Sequence, residues 1–352
     1  MTVTSRPSPL PSSSGDPLVT IDDIRAAAET LDGITVRTPL LPFGRPIEGH
    51  PKGHPRVWLK PELLQPIGAF KLRGAFNALA SLTPDERARG VVTHSSGNHA
   101  QGVARAARIL GIRAVVVMPS DAPAVKVAGV RADGAEVVSV GTSSDERVRV
   151  SEALAHDQGL VLIPAYDDRR IIAGQGTCGL EIVEQLAELG YGATPFTVLV
   201  PIGGGGLASG VAVAVKTLRP DAHVFGVEPE MAADAAESLS EGHIVRWDAD
   251  QVGRTAADGM RTSALGVLTF QHLSIYADGV LTVAEIDIRR AMVMAARGAR
   301  LVVEPSGATS LAAWLAHESE FPAGPVVAIL SGGNVDSDRY AELIAEGRAA
   351  GG

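Results

Sequence analysis

The chain has 352 residues, 45% of them hydrophobic and 20% charged, with a formal net charge of −9 and a sequence pI of about 5.5. That length suits two domains, and that composition supplies ample material for a buried core. The acidic balance argues against nucleic acid or an anionic membrane surface as partner, since both need clustered Lys and Arg. No stretch approaches the roughly 18–20 consecutive apolar residues of a membrane span.

The first residues, "MTVTSRPSPLPSSSGDP", are rich in Ser and Pro and hold no apolar run of the signal-peptide kind. Residues 1–17 are therefore expected to form a disordered leader. The single cysteine, Cys178, has no partner for an intramolecular disulfide, which fits a reducing, cytoplasmic setting.

Between positions 68 and 76 the chain reads "GAFKLRGAF". The following "LRGAFNALASL" reads as a helix, so Lys71 sits near a helix start, where the dipole disfavours an ammonium. Its apolar neighbours Ala69, Phe70 and Leu72 add desolvation, which also lowers a lysine pKa. Such an amine suits Schiff-base chemistry. A lysine snorkelling from an apolar helix is the alternative.

From about residue 90, short β-branched runs alternate with longer stretches of helical spacing. "GVVTHSS", "RAVVVMP", "AEVVSV" and "LVLIP" read as buried strands, and "FTVLVPIGGGG", "AHVFGVEP" and "VVAILSGGN" continue the pattern. Apolar strands alternating with helices predict an α/β fold with parallel sheets covered on both faces. Asp336 marks a helix start, and Thr282 with Glu285 three residues later reads as a capping box.

Three strand-to-helix junctions carry polar or glycine-rich sequence. "THSSGNHAQG" crowds Ser95, Ser96, Gly97, Asn98 and His99 where a parallel strand ends, a place where open α/β sheets bind ligands. "PIGGGGLASG" puts Gly203, Gly204, Gly205 and Gly206 before a helix, whose first N–H groups can hold a phosphate. It lacks the lysine of a nucleotide P-loop and is not a clean dinucleotide fingerprint. "AILSGGNVD" places Ser331 and Asn334 at a third strand end. Ordinary helix caps and tight turns are the alternatives at each junction, and a nucleotide-binding protein remains the competing class.

Together these segments, in this order, resemble the fold-type II pyridoxal-phosphate enzymes. The resemblance is to the serine/threonine ammonia-lyase group, in the branch of serine racemase and 3-hydroxyaspartate ammonia-lyase, and runs from about residue 20 to 345. It implies two open, mostly parallel twisted sheets with flanking helices. A small domain, 91–169, would be inserted in a large pyridoxal-phosphate-binding domain, 18–90 and 170–352. It implies that Lys71 is the Schiff-base lysine and proton-abstracting base, next to Phe70. Asn98 would meet the cofactor's ring hydroxyl, and Gly203 to Gly206 with Leu207 its phosphate. Ser331 would meet the pyridine nitrogen, where a neutral hydroxyl favours elimination over transamination. Ser96 would be a catalytic residue on the opposite face, and Ser95, Ser96, Gly97, Asn98 and His99, with Arg147 of "SSDERVRV", would bind substrate.

In "VEPEMAAD" the resemblance implies a divalent-cation site, Glu228, the Ala232 carbonyl and Asp234, for Mg2+, Mn2+ or Ca2+. It implies a lyase releasing a 2-oxo acid and ammonia from L-threonine, L-serine or 3-hydroxyaspartate. An amino-acid racemase with side dehydratase activity is the alternative, and a homodimer or homotetramer the expected assembly. Leu63 and Ala69 depart from the asparagine and serine of many relatives, which puts threonine specificity in doubt. Few residues follow Ser331, so feedback control of the biosynthetic isoleucine type is not expected.

Overall fold

The computed structural model describes residues 17–46, 55–95, 97–122, 124–142 and 144–351. The expected leader falls almost wholly outside them, and so does Ser96. The strands are β1 Leu41–Pro46, β2 Pro55–Pro61, β3 Val91–His94, β4 Ala114–Pro119, β5 Glu136–Val140, β6 Val161–Leu162, β7 Thr197–Pro201, β8 His223–Pro229, β9 Gly279–Val283 and β10 Val326–Leu330.

They form two sheets. A six-stranded sheet has the order β1-β2-β10-β7-β8-β9, and a four-stranded sheet the order β5-β4-β3-β6. Every pairing is parallel except β1 with β2. This is the α/β architecture that the alternating pattern predicts, with the two mostly parallel sheets that the family resemblance implies.

The side-chain period of two divides the central strands between two cores. Val198, Val200, Val327 and Ile329 pack on one face with Cys178, Ile182, Val211 and Val215 from helices Arg169–Leu186 and Gly206–Leu218. Leu199, Val326, Ala328 and Leu330 pack on the other with Met292, Leu311 and Trp314. Both faces of β7 and β10 are buried, which is why these strands read as unbroken apolar runs.

Three local expectations change. β5 is a sheet edge with Glu136 and Ser139 exposed rather than a buried strand. "LVLIP" keeps only the two residues of β6 in ladder form. Thr282 lies inside β9, and the helix Glu285–Met294 starts after Ala284 with no side-chain cap. Glu285 instead accepts from the Ala256 backbone N–H at 3.0 Å and from the Thr255 hydroxyl. A strand claimed the capping threonine. Asp336 does cap helix Ser337–Ala349, accepting from Asp338 and Arg339 N–H groups.

Candidate active site

Lys71 opens the helix Lys71–Ala80. The loop before it turns at Gly68, whose φ of +73° suits glycine, and is tied to the end of β10. The Phe70 N–H donates to the Ser331 carbonyl at 3.0 Å and the Gly333 N–H to the Gly68 carbonyl at 2.9 Å. The first and third sequence motifs therefore meet, with Ser331 only 5% exposed between them.

The Lys71 amine lies 5.1 Å from the Phe70 ring centre and donates to the Ala165 carbonyl at 2.8 Å. Burial lowers its pKa to about 8. Ala165 belongs to a strap joining β6 to helix Arg169–Leu186, and each following residue has its own task. The Tyr166 ring lies against the Gly204 backbone. Asp167 caps the helix Val267–Tyr276, accepting from Val267, Leu268 and Thr269 N–H groups at 3.0, 2.9 and 3.2 Å. Asp168 caps helix Arg169–Leu186 by accepting from Arg170 N–H at 2.7 Å.

The glycine loop Gly203–Gly206 joins β7 to helix Gly206–Leu218. Gly205 has φ +94°, and the Thr269 hydroxyl holds the Gly204 carbonyl at 2.7 Å. A Cβ on Gly204 would overlap the Tyr166 ring. A strand end, glycine backbone and the first N–H groups of a long helix form the cradle expected for a phosphate. Leu207, in that helix's first turn, is buried in the core.

Asn98 and His99 open helix Asn98–Leu110 after Gly97. The Gly97 N–H donates to the Ser95 hydroxyl at 3.1 Å, a local turn that shapes the loop. Asn98 Nδ2 donates to Glu304 Oε1 at 2.6 Å. His99 is buried, and its pKa falls to about 3 through burial and the nearby Lys71 charge, so the ring is neutral. Its Nε2 contacts the Ile163 carbonyl at 3.3 Å.

Arg147 donates to the Thr142 carbonyl at 3.0 Å. Burial and then the Arg147 charge depress His94, the last residue of β3.

Glu228 stands at the end of β8 and Asp234 at the start of helix Asp234–Glu241. Glu228 accepts from Ala235 and Ala236 N–H groups at 3.1 and 2.8 Å. Both Asp234 carboxylate oxygens are buried with no hydrogen-bond partner among the described residues. Burial raises Asp234 to about 7, and burial followed by the Asp234 charge raises Glu228 well above the carboxylate range. Among the described residues no group of three or more His, Cys, Asp or Glu side chains gathers as a metal site.

Sequence reasoning missed Ala165, Tyr166, Glu304, Lys126 and Asp258. Lys126, 5% exposed at its side chain, reaches from helix Ala124–Ala132 to Asp258 at 2.5 Å. Ala165 acts through its backbone and leaves no residue-type signal. Glu304 has one: a lone carboxylate between "LVV" and the Pro305 that opens helix Pro305–His317.

Comparison with known proteins shows what the chain is similar to. The pyridoxal-phosphate dependent enzyme family matches residues 32–332. The L-threo-3-hydroxyaspartate ammonia-lyase of Pseudomonas sp is 40% identical over 92% of this chain and 97% of its own length. The serine racemase of Schizosaccharomyces pombe is 38% identical over 94% and 98%. Among solved structures, the serine racemase of maize superposes with a TM-score of 0.82 at 35% identity, covering 95% of this chain and 99% of that one. A family match over residues 32–332 and relatives near 40% identity over nine-tenths of the chain carry one conclusion: the chain belongs to the fold-type II family of pyridoxal-phosphate dependent enzymes.

Proposed function

We propose that this chain is a pyridoxal-phosphate-dependent ammonia-lyase that removes the amine and β-hydroxyl of a small β-hydroxy amino acid, giving a 2-oxo acid and ammonia. The single observation that carries the reading is the buried Lys71 amine, lowered to about 8 and held at the Ala165 carbonyl. The ammonia-lyase names of relatives matched over more than nine-tenths of this chain support the reaction class. L-Threonine, L-serine and 3-hydroxyaspartate are the substrates to test.

The residues suit the cofactor. A neutral fraction of Lys71 is available near pH 7 to bond an aldehyde carbon. The Gly203–Gly206 backbone and the N-terminus of the following helix suit a phosphate, and the Ser331 hydroxyl offers a neutral partner to a ring nitrogen. The bound cofactor supplies an electron sink for the charge that develops at Cα. The chain supplies the rest. Lys71 Nζ takes the Cα proton, and the Ala165 carbonyl accepts one N–H of the free amine and so aims its lone pair. The Asn98 helix start, with Ser95 and Gly97, receives the substrate carboxylate, and Arg147 adds positive charge at that strand end. Neutral His99 adds no competing charge beside Lys71.

The same reading takes Ser96 as the proton donor or acceptor on the opposite face, residues 91–169 as a small inserted domain, and a homodimer or homotetramer as the assembly. No described helix is long and apolar enough to cross a membrane, and a cytoplasmic location is proposed with the rest. The reading also takes Glu228, the Ala232 carbonyl and Asp234 as ligands of a divalent cation of the Mg2+, Mn2+ or Ca2+ kind, on the support of the Asp234 carboxylate alone. Two neighbouring buried carboxylates, one with no side-chain donor among the described residues, are costly to ionise unless such a charge joins them.

The test is a panel of β-hydroxy amino acids assayed for 2-oxo acid, ammonia and change of configuration. Oxo acid and ammonia released in equal amounts support the lyase. Inversion of configuration without ammonia would assign the racemase instead.

A further inference from the structure

We infer that Glu304 and Asn334 are positioning residues that lock the Asn98 amide, so that its nitrogen keeps one N–H free for the ring oxygen of the cofactor. The inference rests on the pyridoxal-phosphate reading and deepens it.

A primary amide has two ends of nearly equal shape and opposite hydrogen-bonding sign, so its direction is set by its partners. The Ile67 carbonyl has no such ambiguity, since it only accepts. Asn334 Nδ2 lies 2.8 Å from it and is therefore the nitrogen. The same nitrogen lies 2.9 Å from one end of the Asn98 amide and 3.1 Å from Gln101 Oε1. Its two hydrogens reach three oxygens, so one hydrogen is shared, and the Asn98 end at 2.9 Å is the oxygen that accepts. The nitrogen end then faces Glu304 Oε1 at 2.6 Å and gives it one hydrogen. One hydrogen remains.

Glu304 is 2% exposed, and its Oε2 is buried without a hydrogen-bond partner among the described residues. Burial, and then the Asp258 charge, raise the carboxyl to about 8. The Lys126 charge and the Asn98 hydrogen bond oppose that rise without reversing it, and Oε1 accepts from Asn98 whichever state the carboxyl holds. Glu304 thus works as an acceptor that an amide can imitate.

Two motif glycines make room for this chain of bonds. A Cβ on Gly68 would overlap Asn334 Oδ1, and a Cβ on Gly332 would overlap Glu304 Oε1 and come within 3.0 Å of Asn98 Nδ2. The glycine before Lys71 and the glycine after Ser331 are therefore the floor on which the polar chain lies. It joins the Lys71 loop, the Asn98 helix, the Glu304 helix and the end of β10.

The experiment titrates pyridoxal phosphate into cofactor-free protein for wild type, Asn98→Ala, Glu304→Ala, Glu304→Gln, Asn334→Ala and the Asn98→Ala/Glu304→Ala double variant. Affinity and the absorbance of the bound cofactor against pH are read, with thermal melts reporting the fold. Each single alanine variant is expected to lose about threefold to tenfold in affinity, the worth of one oriented hydrogen bond. Each should also shift the pH dependence of the bound cofactor's absorbance. Glu304→Gln should stay near wild type, and the double variant should bind no more weakly than Asn98→Ala. Additive losses in the double variant, or a glutamine variant as weak as the alanine one, would overturn the inference. So would folded Glu304→Ala and Asn334→Ala proteins that match wild type. If Glu304→Ala does not fold, Asn334→Ala in the Asn98→Ala background decides by the same criterion. Wild type that binds no pyridoxal phosphate overturns the cofactor reading itself, whereas wild-type-like variants overturn the positioning role alone.

Discussion

Lys71 Nζ and the Ala165 carbonyl oxygen are 2.8 Å apart, although 94 residues separate them in sequence. The contact brings the Lys71 amine against the strap that leaves the smaller sheet. It fixes where the amine is and, through burial, how readily it gives up its proton. With a pKa of about 8, the neutral nucleophile is scarce at pH 6 and plentiful at pH 9. The rate at which cofactor-free protein captures pyridoxal phosphate should rise about tenfold per pH unit below 8 and level off above it. Stopped-flow absorbance measures this. A midpoint near the ordinary lysine value of 10.5 would show that burial does not tune the amine.

A methyl group on Gly204 meets the Tyr166 ring. Gly204→Ala should therefore force the ring or the loop aside, at a cost typical of overpacking, about 1–3 kcal/mol. Where that cost falls on the cofactor-bound state, affinity for pyridoxal phosphate should drop by about fivefold to 150-fold. Adding Tyr166→Ala should restore much of the loss, because the obstacle is then gone. A double variant no better than Gly204→Ala alone would place the damage elsewhere in the cradle.

The cation proposal predicts a pH effect with a definite sign. Asp234 is raised from 3.8 to about 7 in the fold, and Glu228 moves the same way. Between those values the folded state binds more protons than the unfolded chain, so metal-free stability should fall as pH rises from about 4 through 7. Asp234→Asn should flatten that slope. Mg2+, Mn2+ or Ca2+ should raise the melting temperature of wild type at pH 8, and a chelator should reverse it. At a hundredfold excess over Kd the gain is about 2.7 kcal/mol. Equal responses in wild type and Asp234→Asn would remove the assignment.

Two residues beyond Lys71, Arg73 is 0% exposed and pairs with both Glu62 and Glu181. Its Nε meets Glu62 Oε2 at 2.7 Å and its Nη1 meets Glu181 Oε1 at 2.6 Å, while Lys60 joins Glu181 at 2.5 Å. Arg73→Met would leave two carboxylates facing a single lysine. The expected loss is on the order of 3–5 kcal/mol, read by denaturant melts. A loss below about 1 kcal/mol would mean that the pairs are solvated in the folded protein.

The parts of the fold and site that show in the sequence have a local cause. β7 and β10 are read from their apolar runs because both faces are buried, and the glycine loop from four consecutive glycines. The apolar surroundings of Lys71 leave a snorkelling lysine open, and its proposed role comes from the ordered set of motifs that the family resemblance brings together. The relations that do not show are those made by the chain's return. Glu304 lies 206 residues from Asn98, and nothing near either residue announces the other. Ala165 contributes a carbonyl that any residue could offer. The Thr282–Glu285 pattern fails for a related reason: the same four residues satisfy a capping rule and the end of a strand, and the ladder with β8 decides between them. Pro229 pairs with Val283 in that ladder, so Thr282 is held extended beside Glu228.

The central claim is that Lys71 is the covalent anchor of pyridoxal phosphate. Borohydride reduction of the protein after incubation with the cofactor, followed by peptide mapping, tests it most directly. The account predicts one stable adduct, on the peptide containing Lys71, lost in Lys71→Ala together with oxo-acid production. An adduct on Lys60 or Lys126, or a wild-type protein that gives none, would contradict it.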